Sequence, residues 1–162
     1  MASYQLRCQM LVKLPIEEVF EVFQDPYNLI KITPPSMDFK VTNEKSVEMR
    51  KGELIHYRFR MLGLPLTWTT LISDYAPPFR FIDEQLKGPY TRWHHLHRFK
   101  DTVHGVEVSD IVDYTLPLGP LGLLGQPIVK PQLLEIFRFR QQALSKMWGG
   151  AESTDPQIYP VG

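Results

Sequence analysis

The sequence predicts an α+β protein: a seven-stranded antiparallel sheet packed on one long helix near the C-terminus, with two short helices directly after the first strand. Three observations carry this. Residues 37–116 read as one strand-like segment after another, divided by turn signals, with no stretch of helical length to carry a parallel crossover. A single long amphipathic segment follows, from about Lys130 to Trp148. The apolar faces of such a sheet and such a helix can be buried only against each other. At 162 residues the chain has length for one domain with a substantial core. A single domain is expected over 1–150, with a loosely ordered tail over 151–162, where small and polar residues and two prolines prevail.

Ser3 to Lys13 alternates Tyr4, Leu6, Cys8, Met10 and Val12 with polar neighbours, a strand pattern. Pro15 suits a first helical turn, and Ile16, Val19, Phe20 and Phe23 fall at helical spacing. Asp25-Pro26 caps a second short helix containing Leu29 and Ile30, ended by Pro34-Pro35. Strands are expected near Asp38–Asn43, Glu53–Met61, Leu66–Tyr75, Phe79–Leu86, Tyr90–Lys100 and Val106–Leu116. Gly52, Gly63-Leu-Pro65, Pro77-Pro78, Gly88-Pro89 and His104-Gly105 separate them. In the last helix Leu133, Leu134, Phe137, Leu144 and Met147 or Trp148 form the apolar stripe, and Gly149-Gly150 stops it.

Composition narrows the function classes. Hydrophobic residues make up 43% and charged residues 22%, which places the chain among folded globular proteins rather than disordered ones. Eighteen basic and eighteen acidic side chains cancel, so no overall field favours nucleic acid or an anionic membrane, and no nucleic-acid partner is expected. Cys8 is the only cysteine, so no intrachain disulfide can form. The start lacks a secretory pattern, and the longest uncharged run, Thr115 to Val129, is too short to span a bilayer. A reducing, cytoplasmic setting is expected. No phosphate loop, dinucleotide fingerprint, Gly-x-Ser-x-Gly, zinc-finger spacing or His-Glu-x-x-His is present.

The chemistry concentrates in two of the predicted strands. Trp93, His95, His97 and Phe99 share one face, and Val106, Val108, Asp110, Val112 and Tyr114 share another. A turn at Thr102–Gly105 brings the two apolar faces together and sets Phe99 opposite Val108, His97 opposite Asp110, His95 opposite Val112 and Trp93 opposite Tyr114. Burying an unpaired polar group costs about 1–3 kcal/mol, so the two imidazoles and the carboxylate serve either a polar network or a ligand. The immediate inference is a buried His97–Asp110 pair. It reads as a structural pair, as ligand contact by one or both imidazoles, or as a metal triad of His95, His97 and Asp110. Because the spacing requires no third strong ligand and Trp93 and Phe99 enclose the site with rings, no metal and no cofactor is expected.

Other side chains extend this face. Phe81, Asp83 and Gln85 alternate against Ile82, Glu84 and Leu86, and either set can face inward. Arg140, three residues beyond Phe137, lies on the buried side of the helix or its edge, as a flanking ion pair or as the anchor of a ligand carboxylate or phenolate. Ile55, Tyr57, Phe59, Trp68, Thr70 and Ile72 are core or, if a cavity exists, its wall.

The chain resembles the SRPBCC superfamily, the START-like or helix-grip proteins, in its polyketide cyclase/dehydrase-like ligand-binding branch. The resemblance rests on Pro77-Pro-Phe-Arg-Phe-Ile-Asp-Glu-Gln-Leu-Lys-Gly-Pro-Tyr90, on Trp93-x-His95-x-His97-x-Phe99, on Asp110-x-Val112-x-Tyr114-x-Leu-Pro117 and on Ile136-Phe-Arg-Phe-Arg140. It covers roughly Tyr4 to Trp148. It implies a sheet curved around the C-terminal helix with a deep cavity between them, and a hydrophobic small-molecule ligand: a lipid, an isoprenoid or a polyketide-like compound. Catalytic residues of the aromatase/cyclase branch do not map cleanly onto this chain, so binding is the favoured expectation. The alternative is a cyclase or dehydratase with His97 and Asp110 as general acid/base. The expected ligand contacts are Tyr57, Trp68, Phe81, Asp83, Trp93, His95, His97, Phe99, Asp110, Tyr114, Phe137 and Arg140. The leucine-rich loop from Leu116 to Pro127 is expected to cover the cavity mouth or to lead into the helix.

Overall fold

The computed structural model describes residues 2–162. Strand β1 (Ser3–Val12) is followed by helix α1 (Ile16–Gln24) and by two 3-10 turns, Pro26–Ile30 and Pro35–Met37. The Asp25 carboxylate caps the first of these turns by accepting the Tyr27 backbone N–H at 2.9 Å. Then come β2 (Lys40–Val41), β3 (Leu54–Met61), β4 (Leu64–Ala76), β5 (Arg80–Lys87), β6 (Arg92–Thr102) and β7 (Gly105–Thr115). A third 3-10 turn, Gly119–Leu124, leads into helix α2 (Gln126–Met147). Helix α2 begins earlier than the periodicity indicated, because Pro127 falls in its first turn, where a missing N–H costs nothing.

The sheet is antiparallel throughout, in the order β2-β3-β4-β5-β6-β7-β1. Its strand count differs from the expected seven. The tail expected to be loosely ordered instead supplies β8 (Glu152–Ser153) and β9 (Gln157–Val161), both pairing with the free edge of β1 and making nine strands among the described residues. The reason lies in a few specific contacts that composition does not reveal. Ile158 is buried opposite Leu6, and Gln141 on α2 donates to the Thr154 carbonyl at 2.8 Å.

The β6–β7 register is the one argued from burial: Phe99 opposite Val108, His97 opposite Asp110, His95 opposite Val112, Trp93 opposite Tyr114. Gly105 is required at this turn, since its φ is +131° and a Cβ there would lie 2.7 Å from the Val12 carbonyl oxygen. Register shifts between Thr69 and Thr70 and between Ile72 and Asp74 interrupt the β4–β5 ladder, and such bulges bend a sheet. The bent sheet faces α2, which buries Leu133, Phe137, Gln141 and Leu144.

The apolar interior divides into three clusters. One joins β1, β6, β7 and α2 around Leu6, Trp93, Tyr114 and Phe137. A second holds α1 against β5 and β6 through Phe20, Phe23, Phe81 and Phe99. The third lines β3 and β4 with Ile55, Tyr57, Phe59 and Ile72. No helix among the described residues is long and apolar enough to cross a membrane.

Candidate functional site

Where the three clusters meet, the interior is hollow. A cavity of about 140 Å³ lies between the bent sheet and α2. Its back wall comes from inward-facing positions of β3 to β6, which alternate as strand geometry requires: Tyr57, Trp68, Phe81, Asp83, Trp93, His95 and His97. Phe137 and Arg140 close it from α2. Ile55, Phe59, Thr70 and Ile72, left open as core or wall, are both. Phe81, Asp83 and Gln85 take the inward face of β5, leaving Leu86 54% exposed.

Three of the expected contacts do not line the cavity. Phe99 is covered by the rings of Phe20 and Phe23, at 5.3 and 5.1 Å between centroids. Tyr114 is shut off by Tyr4 and Tyr90, at 5.5 and 5.7 Å. Asp110 points inward but lies behind the two imidazoles.

The polar groups form one cluster on the cavity wall, and their pairing corrects the sequence inference. His97 and Asp110 are opposite in register, yet His97 Nε2 donates to Asp83 Oδ2 at 2.5 Å while His95 Nε2 donates to Asp110 Oδ1 at 2.7 Å. Asp110 is thus the partner of His95, two residues along. His97 finds its carboxylate on the other neighbouring strand, where Phe81 is its direct opposite and stacks on its ring at 4.1 Å. The two imidazoles stack on each other at 3.7 Å. Arg140 brings Nη1 to 4.0 Å from Asp110 Oδ1, with its guanidinium 4.9 Å above the Phe137 ring.

Burial alone would push the Asp110 and Asp83 carboxyls up. The hydrogen bonds and charges of His95, His97 and Arg140 outweigh that and hold both below the usual carboxylate range. Burial, then the neighbouring His95, pulls His97 down from its ordinary value. Burial first and Asp83 second push the Tyr57 phenol up, so it stays a neutral donor facing the cavity. Cys8 is pushed up by burial and by Asp110, 3.8 Å away, and behaves as a small buried group rather than a nucleophile.

The front of the cavity escaped the sequence reading. Phe23, Leu29, Met37, Phe39 and Met49 line it from α1, the 3-10 turns and the irregular stretch before β3. The sequence places Phe23 and Leu29 on helices and Phe39 in a strand, where they read as plain core, and Met49 lies in a segment without strand or helix period. The leucine-rich loop does not cover the cavity: Leu118, Leu121, Leu123 and Leu124 are exposed and line none of it.

Comparison with known proteins bears on this architecture. A structural-genomics protein from Chromobacterium violaceum superposes with a TM-score of 0.69 at 14% identity, over 89% of this chain and 96% of that one. A protein from Thermus thermophilus gives 0.66 at 18% identity, over 86% and 93%. Ginseng major latex-like protein 151 from Panax ginseng gives 0.64 at 12% identity, over 91% and 99%. The chain has the helix-grip fold. No family model and no curated protein sequence matches it. At these identities the helix-grip likeness concerns the fold alone.

Proposed function

We propose that this helix-grip chain, as a member of the SRPBCC superfamily in a cytoplasmic setting, binds a hydrophobic small molecule between the sheet and α2. The observation that carries this is a hollow walled by rings and aliphatic side chains, with ionisable groups gathered on one part of its wall. Apolar area removed from water supplies affinity at about 25 cal/mol per Å². Asp83, His95, His97 and Arg140 orient the polar end of the ligand. Size refines the ligand class: a cavity of about 150 Å³ holds benzene, so a volume of about 140 Å³ favours a compact ring-sized portion over a whole lipid chain. Longer isoprenoid or polyketide-like molecules enter if Met37, Met49 and Met61 give way, as unbranched side chains do.

Thermal-shift screening with hydrophobic compounds and native mass spectrometry test this. A binder should raise the unfolding temperature of the wild type, and Ile55→Phe, which fills the hollow, should remove that shift while the circular dichroism spectrum stays folded. Undiminished binding by the filled variant would place the ligand elsewhere.

A second reading is general acid/base catalysis of cyclisation or dehydration on a polyketide-like substrate. It is favoured by an imidazole that faces the cavity and is hydrogen-bonded to a carboxylate on the same wall. The pair for that role is His97 with Asp83 rather than Asp110. His97→Gln should then abolish turnover while the circular dichroism spectrum stays folded; unchanged turnover would remove His97 from the reaction.

A further inference from the structure

One carboxylate oxygen of Asp83 and one nitrogen each of His95 and His97 lie within 4.8 Å of one another, on a wall that faces the cavity. We propose that these three side chains form a mononuclear site for a divalent transition metal, with Asp110 behind them as the shared outer partner of both imidazoles.

The orientation of the rings carries the argument. His95 is fixed by the bond from its Nε2–H to Asp110, which leaves Nδ1 with a free lone pair 3.6 Å from Asp83 Oδ2. A ligating histidine characteristically donates its other ring N–H to a carboxylate in this manner. His97 presents Nε2 to the same Asp83 oxygen, and its buried Nδ1 has no hydrogen-bond partner among the described residues, although it lies 3.5 Å from Asp110 Oδ1. Moving the single proton of neutral His97 from Nε2 to Nδ1 aims an N–H at Asp110 and opens Nε2 to a metal. The relocation neither gains nor loses a proton, and a small approach of the ring to Asp110 from 3.5 Å would then give the orphaned Nδ1 a partner. Both imidazoles then rest on one carboxylate, and two nitrogens and one oxygen converge in front of them.

Charge points the same way. Around neutral imidazoles, Asp83, Asp110 and Arg140 leave one net negative charge in a buried site, which a dication overcompensates by one. The remaining coordination positions open toward the cavity, so an anionic oxygen, from hydroxide or from an acidic ligand, restores neutrality. Arg140, whose Nε and Nη1 have no hydrogen-bond partner among the described residues, also lines the cavity and offers that oxygen a guanidinium. A set of two histidines and one carboxylate with open positions suits Fe(II), Co(II) or Zn(II) rather than Mg(II) or Ca(II). The sequence offered Asp110 as the third ligand; the fold puts Asp110 behind the rings and Asp83 in front.

The test is titration of chelator-stripped protein with cobalt(II) and zinc(II), followed by visible absorption, calorimetry and imidazole nitrogen NMR. One ion per chain should bind, shifting the ring nitrogens of His95 and His97 and sparing the exposed His56 and His104. Asp83→Ala and His97→Ala should abolish binding, and Asp110→Asn should weaken it about 10–100-fold, the usual effect of losing an outer partner. Failure of the wild type to bind either ion would overturn the site, as would NMR shifts confined to His56 or His104. The wild-type NMR pattern keeps this decisive even if a variant does not fold. Uptake of a hydrophobic ligand by the same stripped protein separates loss of the metal site from loss of the cavity reading.

Discussion

Asp110 and Asp83 differ in how much each fixes the fold. The Asp110 side chain is 8% exposed and holds the His95 N–H and the nearer end of Arg140, whereas Asp83 is 19% exposed and opens on the cavity. Removing a partner from a buried donor costs about 1–3 kcal/mol. Asp110→Ala should therefore lose about that much stability, and Asp83→Ala less, because solvent entering the cavity can reach His97. Urea unfolding of both variants measures the order; a larger loss from Asp83→Ala would mean the His97 pair is the structural one. At this scale the sequence located the two imidazoles and one carboxylate but misassigned their partners. Strand register fixes which Cα atoms are opposite, not which rotamers the rings adopt. The sequence also left Asp83 undecided, because Ile82 and Leu86 make the other face of β5 look equally apolar.

At the level of elements, strands with strict alternation and helices with clear stripes were legible, since burial of one face fixes period and register together. The tail was not. Ile158 is its only large apolar side chain buried below a tenth exposure, while Tyr159 and Val161 are about half exposed, so no alternation declares a strand. What orders it is the edge of β1 away from β7, which β8 and β9 cover. Truncation after Gly150 should thus destabilise the domain by at least the burial of Ile158, about 1.5–3 kcal/mol. It should also expose the β1 edge and raise self-association, seen as a lower unfolding temperature with light scattering at high concentration. A truncated chain as stable and monomeric as the full one would show the tail strands to be dispensable.

The hollow belongs to the whole molecule: the resemblance implies it, but the periodicity of no single segment does. It arises because the β4–β5 bulges bend the sheet while α1, α2 and the far strands each complete a separate apolar cluster, leaving their junction unfilled. The same geometry sets where a ligand would enter. The back wall is ladder-bonded sheet and cannot part without breaking strand pairs. The front is made of 3-10 turns and the irregular stretch from 42 to 53, tied down by few backbone hydrogen bonds and packed through Leu29, Met37 and Met49. Segments of that kind open at low free-energy cost. A ligand should therefore slow amide hydrogen exchange across residues 26–53 and leave β6 and β7 unchanged, and a ligand longer than the resting cavity should protect the front more than a ring-sized one. Protection appearing instead across residues 116–127 would make the leucine-rich loop the gate, despite its absence from the cavity wall. Protection across β6 would mean that the ligand acts on the strand ladder itself.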